Sequence, residues 1–185
     1  MKQLMISVKP EHFVNILNGK KTRELRSYLP KGFIGPVNIY CSKGEPLLFY
    51  DGETFIEYLD NGQYAQGTNY ELLNGKVVAR FWFDEYEMLN YKDKIKDYSY
   101  INMQLSEMKK FISDLCLTYD DIKTYGNGKD LYAWHIKRLE IFDKPKELGE
   151  FYKEEYAVMP NGIFPAYQPL THAPQKYVYC YTKEE

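Results

Sequence analysis

The run Lys76-Val-Val-Ala-Arg-Phe-Trp-Phe83 does most to limit what this chain can become. Near-continuous β formers of this kind belong in a strand covered on both faces, so the chain must build a sheet with this run at its centre. Other segments supply its partners. Met5 to Lys9 alternates Met5, Ser7 and Lys9 against Ile6 and Val8, and Val37 to Ser42 alternates Val37, Ile39 and Cys41 against Asn38, Tyr40 and Ser42. The second of these reads as half polar and follows a loop marked by Pro30, Gly32, Gly35 and Pro36. Leu131 to Phe142 reads as one long strand, with Tyr132, Trp134, Ile136 and Arg138 on one face and Ala133, His135, Lys137 and Leu139 on the other. Tyr177 to Tyr181 can add a last strand.

Helices are predicted from period and punctuation. Phe13, Val14, Ile16 and Leu17 fall close to one helical face between Pro10 and Gly19, and Leu105, Met108, Ile112 and Leu115 make a second apolar face. Thr118-Tyr-Asp-Asp121 has the form of a capping box and opens a short helix ending near Tyr125-Gly126. Gly126-Asn-Gly-Lys129 lacks the spacing of a phosphate-binding loop and reads as a turn. Pro145 to Tyr152 suits a helical turn, and Pro160 to Pro174 a loop rich in Pro and Gly. About six strands with no regular strand-helix repeat point to an α+β fold, a small closed barrel of mixed or antiparallel strands with flanking helices. One domain over residues 1–185 is expected, with insertions at about 44–74 and 86–130, the first irregular and the most mobile part.

The totals exclude several classes. Three cysteines, Cys41, Cys116 and Cys180, are odd in number and far apart, and no Cys-x-x-Cys or His-x-Glu pattern supports a zinc site. They read as buried thiols in a reducing compartment, with no metal or other cofactor expected. No signal core or membrane-length apolar run is present, so a soluble, cytoplasmic protein without membrane association is expected. A formal charge of -2 rules out a globally basic nucleic-acid coat, although a local patch remains open. The chain holds 19 tyrosines, which suit half-buried strand faces and also stacking on unpaired bases.

The stretch Gly19-Lys-Lys-Thr-Arg-Glu-Leu-Arg26 sets charges of both signs where a helix becomes a strand. Alternation from Thr22 puts Thr22, Glu24 and Arg26 on one face and Arg23 and Leu25 on the other, with Lys21 in the turn. Cation, carboxylate and guanidinium together can hold a polar ligand and move a proton. The plainer reading is a solvated edge strand whose ion pairs are worth at most about 1 kcal/mol.

Four blocks carry a resemblance. Ser7-Val-Lys-Pro10, Ile16-Leu-Asn-Gly-Lys-Lys-Thr-Arg-Glu-Leu-Arg26, Leu73-Asn-Gly-Lys-Val-Val-Ala79, and Tyr132-Ala-Trp-His-Ile136 followed by Phe142-Asp-Lys-Pro145 together resemble the ASCH domains of the PUA-like superfamily, found in bacterial and phage proteins. The resemblance implies a PUA-like small barrel whose cleft, lined by the Gly-x-Lys motif, receives RNA or a nucleoside. It would place Lys21, Glu24 and Arg26 at the cleft, joined by Ser7 and Lys9. Some members resemble ribonucleases, and a few remove the acetyl group of 4-acetylcytidine with the motif lysine, a threonine three positions on and a distant glutamate. Glu24 stands where that threonine would be, and Thr22 is displaced by about 6 to 7 Å along a strand. His172 lies where an arginine ahead of Pro174-Gln175 is common, replacing a permanent cation by a mostly neutral ring.

Three functions follow as expectations. The first is binding of RNA, another single-stranded nucleic acid or a modified nucleoside, with Lys21, Glu24 and Arg26 fixing it and Tyr40 or Trp134 offering a stacking face. The second is a hydrolase in the same cleft, amidohydrolase or ribonuclease, with Glu24 as base for water and Lys21 steadying an oxyanion. The third is a scaffold meeting a protein partner through Tyr86 to Tyr125. Trp134 and His135 also have structural readings, as core and as satisfied strand histidine, and His12 as a solvated helix residue. If the motif side chains face a cleft, replacing Lys21 or Glu24 by alanine should leave stability nearly unchanged.

Overall fold

The computed structural model describes residues 1–51, 53, 55–58, 70–92, 97–100 and 105–182. In chain order the elements are β1 (Gln3–Val8), α1 (Pro10–Leu17), β2 (Arg23–Arg26), β3 (Gly35–Cys41), β4 (Leu47–Tyr50), β5 (Phe55–Tyr58), β6 (Glu71–Leu72), β7 (Val77–Phe83), β8 (Tyr86–Lys92), β9 (Asp97–Tyr100), α2 (Leu105–Leu115), α3 (Tyr119–Gly126), β10 (Leu131–His135), β11 (Lys137–Lys146), β12 (Phe151–Met159), β13 (Gly162–Pro169) and β14 (Val178–Thr182). A 3-10 turn at Leu148–Glu150 stands where a helical turn is predicted. The class is α+β, as expected, but among the described residues there are fourteen strands rather than about six. They form sheets ordered β11-β7-β3-β1-β14-β12-β13, β2-β10-β8-β9 and β5-β4-β6.

The chain divides into two compact units. The first, residues 1–13, 35–81 and 139–185, contains the core of Met5, Tyr40, Val77, Phe142, Phe151, Leu170 and Cys180. Its wide sheet is centred on β1, with parallel β3 on one side and antiparallel β14 on the other. The prediction of the central place for Lys76–Phe83 is corrected: β7 is interior but second from the end. β1 takes the centre because the two strands flanking it come from distant parts of the chain, which no local pattern announces. With neighbours on both edges, Leu4, Met5 and Ile6 are all buried, and β3, predicted half polar, is buried along its whole length. Asn38 tolerates this because its amide donates to Gln3 Oε1 at 2.7 Å and to Leu4 O at 3.1 Å.

Two segments depart further. Of the predicted loop Pro160–Pro174, residues 170–174 lie outside any strand, but Gly162–Pro169 is a strand, because β12 and β13 form an eight-pair antiparallel hairpin from Tyr152↔Pro169 to Met159↔Gly162. Pro165 and Pro169 are accepted because β13 is an edge strand, where a missing donor breaks no ladder. The predicted long strand Leu131–Phe142 is two strands in different sheets, interrupted at Ile136, with Arg138 at φ 49°. The stretch at 44–74, expected to hold at most short elements, contains the short strands β4, β5 and β6, and its residues 52, 54 and 59–69 lie outside the described residues.

The second unit, residues 14–34 and 82–138, packs its four-stranded sheet with α2 and α3 around Leu25, Leu89, Tyr98, Phe111, Leu115, Ile122, Leu131 and Ala133. Within the region foreseen as an insertion at 86–130, β8 and β9 are strands, since Tyr86–Lys92 pairs with β10 on one side and β9 on the other. In α2 the buried face is Phe111 and Leu115, with Ile112 at its margin, a slight rotation from the predicted register. The capping box forms as read: Thr118 Oγ1 accepts from Asp121 N at 3.1 Å, and Asp121 Oδ2 accepts from Thr118 N at 2.8 Å. Asn127 in the left-handed region closes α3. Among the described residues, no helix is long and apolar enough to cross a membrane.

Candidate functional site

The site grows out of the end of α1. Gly19, at φ 66°, reverses the chain, and Asn15 O accepts from both Lys20 N at 3.0 Å and Lys21 N at 2.9 Å. Thr22 then joins the sheet region, its N–H donating to Asp114 O at 2.9 Å and its carbonyl accepting from Ile136 N at 3.0 Å. From there β2 pairs with β10 in the register Arg26↔Tyr132, Leu25↔Ala133, Glu24↔Trp134 and Arg23↔His135. Charges of β2 therefore sort onto two faces.

On one face Lys21 Nζ lies 3.4 Å from Glu24 Oε2, and Arg26 Nη2 lies 2.9 Å from Glu24 Oε1. Lys21 Nζ also donates to Leu115 O at 2.9 Å, the last residue of α2. That helix has no basic residue in its own last turn, so the ammonium satisfies a terminal carbonyl and the negative end of the helix dipole. The structure thus brings Glu24 and Arg26 together, as the alternation predicts, and adds Lys21 from the turn. It does not expose them: Lys21 is 3% and Glu24 6% accessible, and Arg26 keeps a partly accessible side chain. The expectation that alanine at Lys21 or Glu24 would leave stability unchanged is corrected, because both side chains are buried and mutually paired.

Trp134, opposite Glu24, is fully buried, its ring 4.8 Å from that of Phe83, and its Nε1 has no hydrogen-bond partner among the described residues. Tyr40, in the other unit, belongs to the first core and burial raises its phenol pKa. Both rings foreseen as stacking faces are core residues. Ser7 is register partner of Tyr40 and donates from Oγ to Pro174 O at 2.7 Å, while Lys9 is exposed, with Nζ 3.5 Å from Glu11 Oε1. Ser7, Lys9 and Tyr40 fall in the first unit and Lys21, Glu24, Arg26 and Trp134 in the second.

The other face of β2 holds a network that sequence reasoning missed. Arg23 donates to Glu87 from Nε at 3.1 Å and from Nη2 at 2.9 Å, and from Nη1 to Asp114 Oδ2. Lys110 reaches the same Asp114 oxygen at 2.7 Å, and His135 Nε2 lies 2.6 Å from Glu87 Oε2. Burial pushes the Glu87 carboxyl up, yet the hydrogen bonds and charges of His135 and Arg23 outweigh it and hold the group below the usual carboxylate range. His135 is thus the satisfied strand histidine of the sequence reading. The available signal was Arg23 alternating away from Glu24. Its partners, 64 and 91 residues on, were not readable. Arg23, Glu87, Glu107, Lys110 and Phe111 line a surface depression of about 320 Å³. Among the described residues no group of His, Cys, Asp and Glu is placed to hold a metal ion.

No protein-family model matches the chain, and no curated protein matches it in sequence. Solved structures do. The chain is similar to the crystal structure of ASCH from Zymomonas mobilis, with 15% identity and a TM-score of 0.51 over 96% of this chain and 86% of that one. It is also similar to a mutant of that protein in which phenylalanine replaces one tyrosine, with 14% identity and a TM-score of 0.54 over 97% and 90% of the two chains. The chain therefore shares the fold of these ASCH structures.

Proposed function

We propose that this protein is a binding module for single-stranded RNA or a modified nucleoside, acting through Lys21, Glu24 and Arg26. The reading treats the whole chain as one ASCH-type domain with the small-barrel cleft of the PUA-like proteins. One observation carries it: a cation, a carboxylate and a guanidinium are held within 3.4 and 2.9 Å of one another with two of the three almost wholly buried. Taking such charges out of water is expensive, and an apolar trio of similar volume is often as stable or more so. Their retention favours a task other than holding the fold. Arg26, the most accessible of the three, supplies the planar fork that matches a phosphate or a base edge, and Lys21 and Glu24 fix its orientation through Glu24 Oε1.

The test incubates the pure protein with a panel of modified nucleosides, 4-acetylcytidine among them, and short single-stranded RNAs, following thermal shift and product mass together. A ligand at 100 times its Kd adds about 2.7 kcal/mol, a rise of roughly 5 to 10 °C for a chain of this size. A shift without product is the expected result. A product of altered mass would replace binding by hydrolysis in the same residues, and silence in both channels would remove the proposal.

A further inference from the structure

A second feature of the same unit has the shape of a base-stacking site. The segment Leu29 to Ile34 and the residues joining β7 to β8 enclose a surface depression of about 240 Å³, lined by Leu29, Pro30, Phe33, Phe83, Asp84 and Tyr86 among others. Its aromatic rings are nearly parallel: Phe33 and Phe83 are inclined by 14° and Phe83 and Tyr86 by 16°, each pair with centroids 6.4 Å apart. Phe83 is buried, so it is a fixed floor, whereas Tyr86 is 43% accessible and Ile34 68%. Tyr132 meets Tyr86 edge-on at 5.9 Å and restrains its ring. Among the described residues the sole charged group of the lining is Asp84, whose Oδ1 accepts from Lys137 Nζ at 2.9 Å. A carboxylate has about four acceptor positions, so it can take further N–H donors.

We infer that this depression binds one planar nitrogen heterocycle, a nucleobase bearing amino N–H donors, stacked on the Phe33–Phe83–Tyr86 surface with those donors toward Asp84. The inference rests on the nucleoside reading above for the class of ligand, and it adds a place for the base away from Lys21. Parallel rings offer a π face to any base, and a lining whose described charge is a carboxylate disfavours a phosphate. The volume lies below the 300 Å³ or more typical of drug-sized pockets, the scale of one base rather than two.

Calorimetric titration of the full chain with cytidine, and separately with ribose 5-phosphate, tests it. Cytidine binds and ribose 5-phosphate does not displace it. Phe33→Ala and Tyr86→Ala each weaken cytidine about tenfold, the worth of one stacked ring, while Tyr86→Phe stays within about twofold. Tyr86→Leu, which keeps apolar volume, serves if the alanine variant loses its folded circular dichroism, and it must also weaken binding. Displacement by ribose 5-phosphate, or equal cytidine affinity in the folded Phe33 and Tyr86 variants, overturns the inference. Loss of binding in Lys21→Met alone would overturn it while leaving the proposed function standing. Short RNA binding without cytidine binding at millimolar concentration would do the same.

Discussion

Replacing Lys21 by methionine isolates the energetic weight of the buried charges. The substitution keeps the unbranched stem and removes the ammonium, so little packing is lost. Two interactions go at once: the charged hydrogen bond to Leu115 O at 2.9 Å and the 3.4 Å pair with Glu24. A hydrogen bond to a charged group is worth about 1.5 to 3 kcal/mol, and removing one partner of a buried pair costs about 3 to 5 kcal/mol because the other charge is left desolvated. Glu24 retains Arg26 at 2.9 Å, which moves the expected loss to the lower half of that range. We expect Lys21→Met and Glu24→Gln each to lower stability by about 3 kcal/mol, or roughly 6 to 12 °C in Tm for a chain of 185 residues. Both lose the same pair, so the double variant costs less than the two single costs together, and the coupling is of order 1 kcal/mol or more. Urea unfolding of the four proteins measures this cycle. Single losses below about 1 kcal/mol, with additive behaviour, would mean a solvated surface pair and would refute the argument.

The held-down Glu87 carboxyl carries a pH dependence. Its folded pKa lies below the unfolded value of about 4.3, so its contribution is fully present above that pH and is lost as pH falls through the lower folded value. Glu87→Gln should therefore flatten the stability profile between about pH 5 and the onset of acid unfolding, and an unchanged slope in urea titrations would contradict the network. Gly126→Ala should destabilise the protein by about 1 to 3 kcal/mol, the opposite of the gain alanine gives in a helix, because its Cβ would overlap the Tyr98 hydroxyl that donates to Lys129 O at 2.9 Å. Thermal denaturation reads the sign. Burial pushes the thiols of Cys41 and Cys180 up to about 12, so native alkylation at pH 8 should give one adduct, at the partly accessible Cys116. Peptide mass mapping that finds Cys41 or Cys180 labelled before unfolding would contradict their burial.

Much of the local structure was legible. The end of α1 at Gly19, the capping box at Thr118 and the turn after Gly126 follow from bonds between residues a few positions apart, and each stands within a residue or two of its prediction. The grouping of Lys21, Glu24 and Arg26 was legible for the same reason, since strand alternation alone puts the last two on one side. Its burial was not. Nothing near Lys21 in the chain shows that Leu115, 94 residues away, will present a carbonyl to it. The β12–β13 hairpin was hidden by Pro165 and Pro169, which look like loop residues until β13 is known to be an edge.

What the sequence by itself determined is the α+β class, the three helices with their caps and turns, and which side chains of β2 share a face. These depend on backbone sterics and on hydrogen bonds closed within one or two turns of chain. The tertiary structure alone decided that β1 rather than β7 is central, that Leu131–Phe142 divides between two sheets, and that the motif charges lie buried with Arg23 tied to Glu87 and Asp114 on the opposite face. Strand neighbours and ion-pair partners come from segments far apart in sequence, and their selection is a property of the packed sheet, which gains its free energy only when all of its strands are present together.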